Sequence, residues 1–247
     1  MGFKLGLIEA VILGIIQGLT EFLPVSSSGH LVIFQHLFGL KEPELVFDIA
    51  VHVGTLTAVL IYFKKELAGI IRAIIHMSRR SLKGDATIRD VWSDPEVRLA
   101  LLIVLGSIPT ALIGIGFHQV ADQIFSSVRI VGLMLLVTGS VLWLTRWVEK
   151  TDRDVGRFSA GRALIVGLVQ GLAILPGISR SGSTIAAGLF LGLKRDLAAR
   201  YAFLLSIPAI SGAAVLAARD LSRGGGEFPS PLLLRVFFQR PWWGIFR

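Results

Sequence analysis

Residues 99–117 form a run of 19 without a charged side chain, and a run of that kind leaves few folds open. A helix rising 1.5 Å per residue needs roughly 20 apolar residues to cross about 30 Å of hydrocarbon. Residues 46–63, 130–147 and 201–218 are comparable runs, although the first carries Asp48 and His52 and is a weaker span. The chain is 53% hydrophobic and 17% charged with a mean hydropathy of +0.71, against about 25% charged in an ordinary soluble domain. These properties predict an all-α polytopic membrane protein. The N-terminal apolar stretch has no small-residue cleavage site and is interrupted by Gln17 and Glu21, so it does not read as a removable signal peptide.

A net charge of +8 and a pI near 10.4 would suggest nucleic-acid binding in a soluble protein. Here the cations fall between apolar runs, in residues 64–98 and 146–162, which the positive-inside rule places in the cytoplasm. Residues 118–128, with Asp122 and no Lys or Arg, belong outside. No nucleic-acid partner is expected. The absence of cysteine excludes disulfide and thiolate chemistry.

The chain also repeats itself. Gly14-Ile15-Ile16-Gln17-Gly18-Leu19 answers Gly167-Leu168-Val169-Gln170-Gly171-Leu172, and Ser28-Gly29 answers Ser181-Gly182 at the same offset. Leu23-Pro24 matches Leu175-Pro176 after a one-residue shift. Each copy predicts a helix that stops at proline, a Ser/Gly turn, and a short second helix near 30–38 or 183–192 that is too short to span. Counting sides from the basic segments sends the first broken pair in from outside and the second from the cytoplasm. This is an inverted-topology repeat with two re-entrant broken-helix pairs, one repeat over about 1–117 and the other over about 128–218. Residues near 21–30 are then expected to face residues near 176–184 around a cavity. Two ordinary kinked spans are the plainer alternative.

The first elbow places Gln17 and Glu21 on one helix face, followed by Ser26, Ser27, Ser28, Gly29 and His30. A carboxylate inside a membrane segment costs roughly 2.5 kcal/mol or more and is a functional candidate by default. Hydroxyls at a helix N-terminus suit an anion, although serines are also common caps. His30 can carry protons or attack phosphorus; His52, by contrast, reads as a hydrogen-bonded packing residue. The second elbow places Arg180 among Ser179, Ser181, Ser183 and Thr184, and a guanidinium fork matches two phosphate oxygens. A carboxylate, an imidazole, hydroxyls, a guanidinium and two helix N-termini are equipment for phosphoryl transfer from an anionic substrate. One carboxylate is too few for a two-metal site, but a divalent cation between Glu21 and a diphosphate is consistent with the few protein ligands Mg²⁺ takes.

Gln17-x-x-x-Glu21, the run from Phe22 to His30, and the run from Pro176 to Thr184 resemble the undecaprenyl-diphosphate phosphatase family of bacitracin-resistance proteins. Gly54-Thr55-Leu56 and Phe203-Leu204-Leu205-Ser206-Ile207-Pro208 support the resemblance, which covers about residues 5–218. It implies hydrolysis of undecaprenyl diphosphate to the monophosphate, recycling the lipid carrier for peptidoglycan synthesis and conferring bacitracin resistance. It also implies a divalent cation, Mg²⁺ or Ca²⁺, with Glu21 as metal ligand, and a multi-pass protein of the bacterial cytoplasmic membrane whose site opens to the outer side. By the same resemblance Glu21, Ser27, His30 and Arg180 are catalytic, with Ser27 or His30 as nucleophile. Gln17, Ser26, Ser28, Ser179, Ser181 and Thr184 surround the substrate, and Gln17 stands where the family often has Glu. Partners are the polyprenyl diphosphate and membrane lipids, with a homo-oligomer left open.

Residues 219–247 depart from that pattern: they are basic and aromatic and end in Pro241-Trp242-Trp243-Gly244-Ile245-Phe246-Arg247. A truncated or frame-shifted end is the expectation there. A secondary transporter or flippase is the main rival for the whole chain, since inverted repeats are transporter architecture. An inactive membrane scaffold is the third reading, supported by the atypical end alone.

Overall fold

The protein was analysed as a computed structural model that describes residues 6–40, 45–117, 127–149 and 154–222. Among the described residues every regular element is helical: α1 Leu7–Thr20, α2 Ser27–Leu37, α3 Leu45–Tyr62, α4 Lys64–Leu82, α5 Ile88–Ser93, α6 Pro95–Phe117, α7 Val128–Leu144, α8 Ala160–Leu172, α9 Arg180–Phe190 and α10 Arg195–Ser222. By length and composition α6, α7 and α10 can each cross a bilayer, and α1, α3 and α8 are shorter apolar helices. Their outward faces carry Ile8, Leu19, Val104, Leu112, Leu133, Leu136 and Val215, all largely exposed. Such an apolar exterior suits lipid and not water. The chain is an all-α polytopic membrane protein. Most of the outer connection at 118–128 and the atypical end from residue 223 lie outside the described residues.

The interior is held by close helix crossings. A Cβ on Gly167 of α8 would collide with the Gly106 carbonyl of α6, so only glycine permits this approach of two backbones. Thr110 Oγ1 then donates to the Gly167 carbonyl at 2.8 Å, and Gln170 Nε2 reaches the Leu205 carbonyl at 3.2 Å. Tyr201 of α10, buried, donates its hydroxyl to the Leu102 carbonyl at 2.7 Å and meets Phe158 edge-on with ring centroids 4.7 Å apart. A second, smaller cluster of Ala10, Leu13, Leu31, Phe47 and Val51 joins α1, α2 and α3. Asp48 in α3 does not stand alone in its apolar run, because Gln35 Nε2 of α2 donates to it at 2.6 Å.

One segment differs from its sequence reading. Residues 64–82, taken above as part of a basic loop, form α4. Leu67, Ile70, Ile71, Ile74 and Ile75 recur at i, i+3, i+4, i+7 and i+8, the spacing of an amphipathic helix. Ile70 and Met77 are buried, and Glu66 pairs with Arg200 of α10.

Candidate active site

Both broken pairs are set by proline. Pro has no N–H and its ring crowds the carbonyl four residues earlier. α1 stops at Thr20, four residues before Pro24, and α8 stops at Leu172, four before Pro176. The short helices begin three residues earlier than their sequence reading, at Ser27 and Arg180, because the preceding serine caps each one. Ser26 Oγ accepts from the Gly29 N–H at 3.2 Å, and Ser179 Oγ accepts from the Gly182 N–H at 3.0 Å. Ser26 adopts φ 65°, a left-handed conformation that costs a non-glycine residue about 1–2 kcal/mol. Its carbonyl consequently receives both the His30 N–H at 3.2 Å and His30 Nδ1 at 2.8 Å. Since a carbonyl only accepts, Nδ1 carries the proton and the Nε2 of neutral His30 keeps the lone pair.

The elbows meet directly. A Cβ on Gly29 would lie 3.0 Å from Gly177 Cα, and one on Gly182 would lie 3.1 Å from Pro24 Cβ. Ser181 Oγ donates to the Leu23 carbonyl at 3.2 Å. α7 supports both elbows: Leu135 packs on Gly29, and Gly177, at φ 95°, lies against Val131 and Met134. Thr138 Oγ1 of α7 donates to the Gly177 carbonyl at 2.8 Å and accepts the Ser179 N–H at 3.0 Å.

At the centre lies Glu21, with 6% of its surface exposed. Its Oε2 accepts from Ser27 Oγ at 2.5 Å and from Gln17 Nε2 at 2.9 Å, and its Oε1 accepts from Arg180 of the other elbow. His52 Nε2 lies 3.5 Å from Oε2, and its Nδ1 donates to the Asp48 carbonyl at 2.7 Å. The reading of His52 as a packing residue is therefore corrected: it faces the central carboxylate. Two ionisable side chains one turn apart in an apolar run, Asp48 and His52, were the signal available for it.

The other sequence candidates divide. Gln17, Glu21, Ser27 and Arg180 converge. Among the described residues His30 makes no hydrogen bond or ion pair with Glu21 or Arg180; it stands on the Ser26 carbonyl at the mouth of α2. The Ser26 and Ser179 hydroxyls cap their helices and lie 3.4 Å and 3.3 Å from those of Ser28 and Ser181. Thr184, buried, turns its hydroxyl back to the Arg180 carbonyl at 2.8 Å, so it supports α9 and does not face the other elbow. Thr138 and Leu135 were missed, since nothing in a single sequence marks which residues of one helix touch a distant turn.

Gln17 Oε1 is buried without a partner, and the Glu21 carboxylate has about four lone-pair sites for its three donors. With its Nε2 turned to Oε2 of Glu21, Gln17 points its own oxygen away from Glu21, so it is the carboxylate's open lone pair that fits a hard cation completing its shell with water and substrate oxygens. Among the described residues no group of three or more His, Asp or Glu forms an all-protein cage.

Similarity to known proteins bears on the arrangement. The chain matches the family described as bacitracin resistance protein BacA over residues 10–235. It is 54% identical to the undecaprenyl-diphosphatase of Desulfatibacillum aliphaticivorans over 228 residues, covering 92% of this chain and 83% of the relative. It is 58% identical to that of Desulfosudis oleivorans over 217 residues, covering 88% and 79%. With Desulforapulum autotrophicum undecaprenyl-diphosphatase it shares 50% identity over 230 residues, covering 92% and 83%. On this match and these identities, the chain belongs to the bacitracin resistance protein BacA family.

Proposed function

We propose that this chain is a membrane phosphatase that hydrolyses undecaprenyl diphosphate to undecaprenyl phosphate and phosphate, recycling the carrier for peptidoglycan synthesis and thereby conferring bacitracin resistance. The observation that carries the reading is the Ser27–Glu21–Arg180 contact, in which a hydroxyl, a carboxylate that can take its proton, and a phosphate-binding guanidinium meet at two helix N-termini.

In this reading the diphosphate enters between α2 and α9, where first-turn N–H groups and Arg180 receive its oxygens. Ser27 Oγ attacks the terminal phosphorus and its proton passes to Glu21. The bridging P–O bond breaks, and its electron pair leaves with undecaprenyl phosphate. Water then attacks the seryl phosphate, with the Nε2 of His30 accepting a proton; phosphate departs and Ser27 Oγ is reprotonated from Glu21. Glu21 would hold a divalent cation, Mg²⁺ or Ca²⁺, which would supply charge neutralisation on the diphosphate.

The basic segments 64–98 and 146–162 support a cytoplasmic location for those parts. With them, the two elbows are inverted halves of one site opening to the outer side of the bacterial cytoplasmic membrane. Purified chain in detergent releasing phosphate from undecaprenyl diphosphate would support the proposal; movement of the intact diphosphate across liposomes without phosphate release would overturn it.

A further inference from the structure

One face of α7 carries an apolar groove of about 570 Å³, lined by Leu135, Leu136, Gly139, Ser140, Trp143 and Trp147 together with Leu144. Its only polar lining side chain is Ser140, whose hydroxyl is turned back to the Leu136 carbonyl at 2.8 Å, so its side chains offer a ligand little polar beyond the two indole N–H groups. Gly139 forms a notch: a Cβ placed there has nothing within 4 Å. At the far end Arg146 lies over Trp143 and Trp147, 3.9 Å and 4.3 Å from their centroids, and the two rings meet edge-on. Cation–π contacts of this kind fix the indoles in place.

The near end adjoins the elbows. Leu135 lines the groove and is also the residue packed at 3.2 Å against the position of a Gly29 Cβ, with its backbone N equally close to that of Gly177. A ligand whose diphosphate sits between the elbows has its tail beside Leu135. From there to Trp147, in the 3₁₀ turn that follows α7, is twelve residues, about 20 Å of helix, which is room for several isoprene units.

We infer that the α7 groove holds the first isoprene units of the polyprenyl tail and makes the enzyme selective for long-chain diphosphates. This rests on the phosphatase reading above. Within a bilayer, moving a tail from lipid into an apolar groove gains little hydrophobic free energy, because both surroundings are apolar. The groove therefore acts by shape, lining the tail up so that the diphosphate points into the elbows. Its effect is modest and depends on chain length.

The test compares undecaprenyl diphosphate with farnesyl diphosphate on the full chain in detergent micelles. Gly139→Leu and Gly139→Phe fill the notch, where a Cβ has open space, and Ile130→Phe, exposed on the opposite side of the same helix, is the control. Filling the notch is expected to raise KM for the undecaprenyl substrate about fivefold, leaving kcat and the farnesyl kcat/KM within about twofold, with Ile130→Phe unchanged on both. Equal effects on both substrates, or none on either, would overturn the groove; equal effects are what an ordinary lipid acyl chain in the groove predicts. A polyprenyl diphosphate with a photoreactive group on its second isoprene should label residues 135–147, and labelling elsewhere counts against the groove. If the wild-type chain releases phosphate from neither substrate, the phosphatase reading and the groove fall together; the other adverse outcomes remove the groove alone.

Discussion

The guanidinium of Arg180 donates to Oε1 of Glu21, joining two elbows 159 residues apart in the chain. Because Glu21 is almost fully buried, this ion pair also holds the two repeats together. Removing one member of a buried pair leaves the other uncompensated, at about 3–5 kcal/mol. Arg180→Ala should therefore lose phosphate release and also lower the unfolding temperature in detergent. Arg180→Lys keeps the charge without the planar fork; it should recover much of the stability while remaining at least about tenfold less active. A lysine variant with full activity would rule out bidentate phosphate binding by Arg180.

Ser26 combines a cap with a left-handed backbone. Ser26→Ala removes the cap, about 1 kcal/mol, and keeps the unfavourable φ. Ser26→Gly also loses the hydroxyl, but glycine tolerates both the cap position and positive φ. Thermal unfolding should therefore rank glycine above alanine. The reverse ranking would mean that the φ of 65° does not strain the turn.

Thr138 reaches the second elbow from α7 with one hydroxyl that both donates and accepts. Thr138→Val preserves shape and leaves the Gly177 carbonyl and the Ser179 N–H without that partner, a loss of about 1–3 kcal/mol. Activity should fall with it, since Ser179 caps the helix that begins with Arg180. Unchanged stability and activity would show that α7 does not position this turn.

Gly177→Ala and Gly29→Ala test the closeness of the elbows differently. At Gly177 the new methyl strikes the Val131 carbonyl and comes within 2.7 Å of Met134 Cβ, at a φ that disfavours alanine. A loss of more than about 2 kcal/mol is expected. At Gly29 the methyl meets Gly177 Cα at 3.0 Å and can be relieved by a small separation of the elbows. Kinetics and unfolding of the two variants should show Gly29→Ala reducing kcat out of proportion to its stability loss.

A cation held by Glu21 predicts that chelation with EDTA abolishes phosphate release and that added Mg²⁺ or Ca²⁺ restores it. Gln17→Leu, which removes the amide that donates to Oε2, should loosen that carboxylate and raise the cation concentration needed for half-maximal activity. An unaltered requirement would show that Gln17 does not position Glu21 for the cation.

Much of this arrangement was legible before any coordinates. Glu21 and Arg180 stood out because a charge within apolar sequence is a functional candidate, but their ion pair did not, since the sequence suggested a cation for one and phosphate for the other. The prolines located both breaks, although the helices end a turn earlier because the lost hydrogen bond is to the carbonyl four residues back. α4 was also legible, since its apolar residues follow a 3.6-residue period, but its many cations drew it into a loop. His52, Thr138 and Leu135 were not legible as site residues. Their roles come from contacts between helices far apart in sequence, and a single chain carries no record of which faces meet.

The central claim is that the two elbows form one hydrolytic site, and the most direct measurement is phosphate release from undecaprenyl diphosphate by wild type, Ser27→Ala, Arg180→Ala and the double variant. Residues acting as a unit show strongly non-additive losses. Each single variant should reduce kcat by at least about a thousandfold, and the double variant should be little worse than either. Additive losses, or a Ser27→Ala enzyme of near wild-type activity, would contradict the account.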